Sequence, residues 1–365
     1  MAAVEPAAAL KDLFLLDPGI VFLNHGSFGA TPRPVFEVYQ RWQRELERRP
    51  VEFLGLERRL PARLDAARER LAGHLGVPGE DLALATNATS ALNAVARSLG
   101  LEPGDEVLTT PDEYPGLRLL WEYVSRRTGA QVVEREWPDL EPGPRTKAVF
   151  VSHVEWSTGR VNDVSSVCAR ARAAGVLSIV DGAHAPGQLD LDLVALGADV
   201  YAGNCHKWLC APKGSGFLYA RPEAQELIDP LVISWDWGTA GGSPFHQRHR
   251  WQGTRDPSAL LAIPAALDFQ AEHDWPRVRE RCHELLASVD LGLEPLTDDF
   301  VQMRGYRVPT RDPGGLQRQL RDEHRIEVPV IETRHGPVLR VSVQAYNDAG
   351  DLDALSAALA RTLRR

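Results

Sequence analysis

Hydrophobic positions divide the first 220 residues into a helical stretch and a longer stretch of short apolar runs. Between residues 33 and 76, apolar side chains such as Val35, Val38, Leu60 and Leu64 recur every three or four positions, which predicts two long helices. The short runs that follow alternate with amphipathic stretches, and this alternation predicts a mostly parallel sheet covered by helices on both faces. The predicted strands occupy residues 81–86, 105–110, 130–134, 147–152, 176–180, 199–203 and 216–220, and the helices between them residues 90–99, 117–128 and 164–174.

The remainder of the chain has a different pattern of hydrophobic and polar positions. Residues 234–257 are rich in Trp, Gly and Pro, which favours an ordered loop. Beyond this loop the pattern predicts a smaller α+β unit, so we expect an α/β protein with a large domain and a small C-terminal one. The unit has predicted helices at residues 260–272, 275–293 and 352–363 and predicted strands at residues 300–304, 326–331 and 338–343.

Composition removes several classes of function. The chain has 365 residues, of which 44% are hydrophobic, so it can bury a sizeable core. Its formal net charge of −9 argues against a general nucleic-acid binder, and no apolar run approaches the length of a membrane span. The N-terminus lacks the basic region of a secretory signal, and the four cysteines form no C-x-x-C pair, so we expect a cytoplasmic protein.

Polar residues follow three of the predicted strands. Asp181 and His184 come after the run at 176–180, and Lys207 follows the run at 199–203. A Thr-Asn-Ala-Thr-Ser segment at residues 86–90 opens a predicted helix. Singly, such residues are typical of helix caps and solvated charges. Together they supply a phosphate site at a helix N-terminus, a lysine amine for a Schiff base and a carboxylate for a pyridine nitrogen, which are the groups that hold pyridoxal 5′-phosphate.

The chain resembles the class V aminotransferase family of fold-type I pyridoxal phosphate enzymes, in its isopenicillin N epimerase-like branch. The resemblance rests on the pair Asp181-x-x-His184 and His206-Lys207 and on the segments 24–30, 181–187 and 251–258. It implies a large domain with a seven-stranded, mostly parallel sheet and a small C-terminal α+β domain. We therefore expect an N-terminal arm at residues 1–30 that lies over the active site, a cofactor domain at 31–255 and a small domain at 256–365.

The same resemblance implies roles for individual residues around the cofactor. Lys207 would form the Schiff base and carry the proton at the substrate α-carbon, Asp181 would pair with the pyridine nitrogen, and His184 would lie beside the ring hydroxyl. Thr254 would reach the phosphate of a partner subunit, which implies a homodimer. The residues implied at the phosphate in the same chain are Ala88, Thr89, Asn204 and His206.

Further positions are implied to bind the amino-acid substrate. Arg340 matches the family arginine that binds a substrate α-carboxylate, although an arginine on a strand is also typical of a solvated surface. Tyr114 stands where relatives often place a histidine that stacks on the cofactor ring, and a tyrosine supplies the ring face without an imidazole. Trp156 is expected to form a pocket wall or to pack in the core, and Asn24 and His25 to contact substrate from the arm.

Four reactions start from such a site. Epimerisation needs protonation from either face of the α-carbon, whereas β-elimination at a C–S bond and transamination need little beyond the lysine. Desulfuration through a cysteine persulfide is disfavoured, because no cysteine follows Cys282. We expect an isopenicillin N epimerase-like isomerase, with a C–S or β-lyase or an aminotransferase as alternatives, and no metal, nucleic-acid or membrane partner. A non-catalytic relative is disfavoured because Lys207 is present, and a Rossmann dehydrogenase because no G-x-G-x-x-G follows the first strand.

Overall fold

The computed structural model describes residues 10–238 and 242–363. Its main sheet has seven strands in the order β2-β8-β7-β6-β5-β3-β4. All neighbouring strands pair in parallel except β8, which is antiparallel to β2 and β7. The strands are β2 (Leu82–Ala85), β3 (Glu106–Thr109), β4 (Gln131–Glu134), β5 (Thr146–Ser152), β6 (Leu177–Gly182), β7 (Val200–Asn204) and β8 (Gly216–Ala220), and each lies on its predicted run.

Burial explains why these central strands read as continuous apolar runs. All five residues of β7 and all five of β8 are buried, as are six of the seven residues of β5. A strand that is covered on both faces has no solvent-facing positions and therefore shows no alternation. The sheet is thus an internal layer, and its polar residues are concentrated where the strands end.

Helices pack on the faces of this sheet. The predicted pair of long helices is present as α2 and α4, with a short helix α3 between them. Within the described residues the helices are α1 (His25–Phe28), α2 (Arg33–Arg48), α3 (Pro50–Leu54), α4 (Leu60–Leu75), α5 (Ala88–Ser98), α6 (Pro115–Thr128), α7 (Val164–Ala173), α8 (Leu193–Leu196), α9 (Pro222–Gln225), α10 (Phe245–Arg248), α11 (Ser258–Leu261), α12 (Ile263–Glu272), α13 (Trp275–Ser288), α14 (Pro313–His324) and α15 (Ala349–Thr362). In this part of the chain no helix is long and apolar enough to cross a membrane.

The C-terminal part carries a second, antiparallel sheet in the order β12-β13-β10-β9. A parallel two-residue pair, β1 with β11, attaches the N-terminal segment to it, with Val21 opposite Ile326. The pairing places the residues that follow β1 beside the end of β13, where Asn24 bridges to Ser342. These strands are β1 (Val21–Phe22), β9 (Glu294–Pro295), β10 (Met303–Arg307), β11 (Ile326–Glu327), β12 (Val330–Thr333) and β13 (Gly336–Ser342).

Several predicted bounds in the C-terminal half were wrong. The strand expected at 300–304 is β10, three residues later, and the strand expected at 326–331 is divided into β11 and β12, with Pro329 between them. The helix expected at 260–272 breaks at Ala262, before Pro264 in the first turn of α12. Helix α14 was not predicted, because it buries only Leu316 and Leu320 and its other residues show no apolar face.

Some predictions fall partly outside the described residues. These are residues 1–9 of the N-terminal arm, residues 239–241 of the loop at 234–257 and the last two residues of the small domain. The described part of that loop contains a 3₁₀ turn at Trp235–Trp237 and helix α10. The two boundaries between the three expected domains remain a prediction.

Candidate active site

The ends of four strands converge on one cleft. Asp181 lies at the end of β6, opposite Ser152 at the end of β5, and Asn204 is the last residue of β7. Lys207 follows β7 by three residues, and Ala88 begins α5 just after β2. Carboxyl ends of parallel strands share one edge of a sheet, so residues far apart in sequence meet there.

A half-buried lysine is in contact with a buried histidine, which in turn contacts a buried tryptophan, at the centre of this cleft. The Nζ atom of Lys207 lies 3.0 Å from Nε2 of His184. The indole Nε1 of Trp208 donates to the other imidazole nitrogen, His184 Nδ1, at 3.2 Å. The His184 carbonyl accepts a bond of 2.6 Å from Gln188 Nε2, which fixes the loop after β6. Both ring nitrogens of His184 therefore have defined partners.

Burial sets the charge states of these groups. Desolvation and the positive charge of Arg340 lower the pKa of Lys207, while Asp181 acts in the opposite direction. Burial raises the pKa of Asp181, opposed by the N–H of Ala183 at 2.9 Å and by Lys207. The pKa of His184 is held well below its usual range by burial and by Lys207. The lysine amine thus has an unusually accessible neutral form, which a nucleophilic or basic amine requires.

The first turn of α5, where the sequence predicts a phosphate site, is joined to the end of β7 by a hydrogen bond. Asn87 caps the helix by accepting from Ser90 N at 2.8 Å, and Asn204 Oδ1 accepts from the Ala88 N–H at 2.9 Å. The Thr89 side chain is exposed at this turn. His206 lies on the neighbouring loop, where its Nδ1 is 3.2 Å from the Ser215 carbonyl, and burial lowers its pKa to about 4.

Arg340 is a buried cation that makes no ion pair among the described residues. It lies on β13, is 5% exposed, and donates from Nη1 to the Trp156 carbonyl at 2.6 Å and from Nη2 to Ser27 Oγ at 2.8 Å. Its Nε has no partner in the described part of the chain. Burial lowers the pKa of Arg340 to about 10, so the guanidinium is still charged at neutral pH. A charge held in this way is suited to an anionic ligand.

The N-terminal segment packs directly on the lysine loop. His25 is fully buried, with Nδ1 2.9 Å from the Tyr346 hydroxyl and Nε2 3.0 Å from the Lys207 carbonyl. Gly29, at φ +70°, passes so close that an added Cβ would lie 2.0 Å from the His206 carbonyl oxygen. Asn24 is buried, donates to Glu327 Oε1 at 3.1 Å and accepts from Ser27 Oγ at 2.6 Å. The arm therefore holds the lysine loop through its backbone.

Tyr114 and Trp156 form an aromatic edge of the cleft. Their ring centroids are 6.1 Å apart in an edge-to-face arrangement. Tyr114 is 43% exposed, and Gly116 leaves room for its ring, since a Cβ there would lie 2.8 Å from Tyr114 Cε1. The exposed ring face is available to a planar ligand. Thr254, on the loop before α11, is exposed.

The structure adds site residues that the sequence did not single out. Glu113 is 3% exposed, accepts from Thr110 Oγ1 at 2.7 Å and from Ser152 N at 3.2 Å, and lies beside Tyr114 in sequence. Burial raises the pKa of Glu113 to about 8, against the opposing effect of these hydrogen bonds. Trp208 and Ser27 were likewise overlooked. Two sequence signals could have identified them: Trp208 directly follows Lys207, and Ser27 lies in segment 24–30, on which the family resemblance partly rests.

All four cysteines are buried as free thiols. Burial raises the pKa of Cys168 and of Cys282 to about 11 and raises that of Cys205 and Cys210 further. A buried protonated thiol is a poor nucleophile. Together with the lack of any cysteine after Cys282, this argues against a persulfide-forming residue in the chain.

The chain is similar in sequence to known proteins. The family model described as aminotransferase class-V matches residues 29–311. Isopenicillin N epimerases from Amycolatopsis lactamdurans and Streptomyces clavuligerus are 42% and 40% identical to the chain, covering 96% and 98% of it and 97% and 98% of the relatives. Proteins named cysteine desulfurase or L-cysteine desulfhydrase match at 25–27% identity.

A solved structure confirms the expected fold-type I architecture. It is a mutant of C-DES with glycine covalently linked to its PLP cofactor, and it matches with a TM-score of 0.82 at 22% identity, covering 94% of this chain and 97% of that one. The residues of the cleft fit such a cofactor. Lys207 has a readily deprotonated amine, and Asp181 offers a buried carboxylate. Arg340 Nε, which has no partner among the described residues, is left for an anionic substrate.

Proposed function

Because the chain belongs to the class V aminotransferase family of pyridoxal phosphate-dependent enzymes, we propose that it epimerises the α-carbon of an isopenicillin N-like amino-acid substrate. One structural observation carries the proposal: Arg340 is buried without an acidic partner and lies within electrostatic range of Lys207. A carboxylate-binding cation beside a basic amine is the arrangement that an α-amino acid needs. Identity of 40–42% over nearly the whole chain favours the epimerases among the relatives.

The residues that would hold the cofactor follow from the cleft. Asp181 would pair with the pyridine nitrogen, His184 would lie at the ring hydroxyl, and Tyr114 would cover the ring. Bound pyridoxal phosphate supplies an electron sink that makes the α-proton of an amino acid removable. The phosphate would be held by the first turn of α5 and the adjoining loop, namely by Ala88, Thr89, Asn204 and His206.

The chain's own groups then bind the substrate and move its proton. Arg340 holds the α-carboxylate, while Ser27 and the Trp156 carbonyl fix the guanidinium from two sides. Lys207 Nζ, kept accessible as a neutral amine by burial and by Arg340, exchanges the α-proton on its own face of the substrate. Inversion of the α-carbon additionally requires that a second acid deliver a proton on the opposite face. His25, whose Nε2 lies 3.0 Å from the Lys207 carbonyl, fixes the backbone of the lysine loop. Asn24 and Trp156 complete the substrate end of the cleft.

The assembly and location form part of the same proposal. We propose a cytoplasmic homodimer in which exposed Thr254 contacts the phosphate bound by the other subunit. This geometry accounts for an exposed threonine within the segment 251–258, one of the segments on which the family resemblance rests.

Hydrogen exchange at the α-carbon separates the possible reactions. Isopenicillin N and a panel of amino acids, including sulfur-substituted cysteines, are incubated with the enzyme in D₂O. Deuterium incorporation with loss of optical purity and without pyruvate supports epimerisation. Pyruvate and a released thiol would establish a C–S or β-lyase instead. Formation of a keto acid with conversion of the cofactor's aldehyde to an amine would establish an aminotransferase. The matched control is Lys207→Ala, which should abolish both exchange and the visible absorbance of the lysine-bound cofactor.

A further inference from the structure

Trp208 contributes its indole N–H to the histidine beside the lysine amine. The indole is fully buried and donates to His184 Nδ1 at 3.2 Å, while His184 Nε2 lies 3.0 Å from Lys207 Nζ. We propose that Trp208 is a positioning residue that holds His184 in the tautomer with its proton on Nε2, so that His184 donates a hydrogen bond to the lysine amine. The proposal deepens the proposed function, on which it rests for the identity of the lysine.

The donor inventory of the three side chains leads to this assignment. An indole nitrogen can only donate, so the imidazole nitrogen that faces it must accept. A neutral imidazole carries one proton, which therefore lies on Nε2. The Nε2–H then points at Lys207 Nζ and can be satisfied only by an amine with a free lone pair. The tryptophan thus favours the neutral lysine through an intervening histidine.

The charges around His184 exclude a second proton on its ring. Burial holds the pKa of His184 well below its usual range. Positive charge on its neighbours acts in the same direction: on Lys207 whenever that amine is protonated, and on Arg340, His206 and His25. Lys207 is faced by Arg340 and by Asp181, which oppose each other. An imidazolium would donate from both nitrogens and place two N–H groups of Trp208 and His184 head to head. The neutral tautomer avoids that conflict.

Trp208 is fixed by packing that does not depend on His184. Its ring lies 4.9 Å from the ring of His25, and its carbonyl accepts from Gln270 Nε2 at 2.9 Å. Gly187 approaches the Trp208 backbone so closely that an added Cβ would lie 2.3 Å from the carbonyl carbon. The position of the indole is therefore set by contacts other than the one with His184, which is what a positioning residue requires.

The test measures the lysine through cofactor binding and without turnover. Cofactor-free full-length protein is mixed with pyridoxal phosphate at a series of pH values, and the rate at which the visible band forms reports the fraction of neutral Lys207. In Trp208→Phe the proton of His184 can move to Nδ1, which leaves Nε2 as an acceptor that stabilises the ammonium. We expect the midpoint of the rate profile to move to higher pH by about one unit, the effect of one hydrogen bond.

Trp275→Phe is the matched control, because Trp275 is also buried and also donates through its indole, at 3.2 Å to the Gly187 carbonyl. Its profile should coincide with that of the wild type. Equal profiles for wild type and Trp208→Phe, or equal shifts in both variants, would overturn the proposal. In a His184→Ala background, Trp208→Phe should produce no further shift, since no ring remains whose tautomer the indole could set; a full additional shift would also overturn it.

A second measurement needs no substitution at Trp208. In ¹⁵N-histidine-labelled wild type, the ring nitrogens of His184, assigned with His184→Gln, should show protonated Nε2 and unprotonated Nδ1. Protonated Nδ1 would contradict the proposal even if the tryptophan variant failed to fold. Failure of the proposed function has a different signature, since a chain without epimerase activity would still show the tautomer and the shift.

Discussion

The Trp156 carbonyl accepts a hydrogen bond of 2.6 Å from Arg340 Nη1, which joins the loop after β5 to the small antiparallel sheet. This contact places a cation from one sheet against the cleft formed by the other. It also leaves the remaining guanidinium edge to Ser27 and to a ligand. Substrate binding is therefore expected to depend on the orientation of Arg340 as well as on its charge.

Arg340→Lys tests that dependence. An ammonium keeps the charge but cannot bond the Trp156 carbonyl, Ser27 and a carboxylate in the fixed fork of a guanidinium. We expect KM for the substrate to rise roughly 10- to 100-fold, the loss of one charged hydrogen bond, while cofactor absorbance is unchanged. Steady-state kinetics measure this, with the exposed Arg318→Lys as control. An unchanged KM would remove Arg340 from the substrate site.

Gly116→Ala tests the exposed ring of Tyr114. An added Cβ would lie 2.8 Å from the ring, so the tyrosine must turn away from its contact with Trp156. We expect weaker cofactor binding, measured by equilibrium dialysis, without loss of fold. Gly73→Ala is the matched control, because Gly73 is an exposed helix residue with no atom near an added Cβ. It should stabilise the protein by about 0.5–1 kcal/mol and leave cofactor affinity unchanged.

Glu113→Gln tests the buried carboxyl below the cleft. Burial raises the folded-state pKa of Glu113 to about 8, above its usual value near 4.5, so the folded protein retains a proton that the unfolded chain releases. The contribution of the Glu113 proton to stability is fully present below the unfolded-state pKa of 4.5 and is lost as the pH rises through the folded-state pKa of about 8. The free energy of unfolding of wild type relative to the variant should therefore fall between pH 5 and pH 8, with a slope of at most about 1.4 kcal/mol per pH unit.

Urea unfolding at several pH values measures this difference for Glu113. The exposed Glu47→Gln variant is the control and should differ from the wild type by a constant amount across the range. A Glu113→Gln curve parallel to that of the wild type would mean that Glu113 is ionised in the folded protein throughout. The three hydrogen-bond donors on Ser152 and Thr110 would then outweigh its burial.

Mixing inactive variants tests the role of Thr254 across subunits. If Thr254 serves the neighbouring site, Lys207→Ala and Thr254→Ala chains should complement each other after subunit exchange. Random pairing would restore about a quarter of the sites, because half of the dimers are mixed and each has one intact site. Lys207→Ala mixed with Asp181→Asn should recover nothing, since both residues serve the site of their own chain. Absence of recovery in the first mixture, or full activity of Thr254→Ala alone, would contradict the proposal.

Sequence patterns predicted the main sheet well because its strands obey a simple constraint. Strands covered on both faces must be apolar throughout, so the central runs of the large sheet were recognisable and their polar ends marked Asp181 and Asn204. The edge strand β4 has no buried residue and was recognised from its β-branched pair Val132 and Val133. The small sheet lacks this constraint. Strands β11 and β12 and the polar helix α14 bury few residues, so their bounds depended on partners that the local pattern does not contain.

By itself, the sequence determined the α/β architecture, the lysine and carboxylate at strand ends, and an arginine on a C-terminal strand. Those features follow from local periodicity and from motifs carried within a few residues. Only the tertiary structure showed that the Trp208 indole faces a histidine 24 residues earlier, that Glu113 is buried against Ser152, and that His25 faces the Lys207 carbonyl. Hydrogen bonds between distant segments depend on how loops pack after the sheet has formed, and no periodicity along the chain encodes that packing.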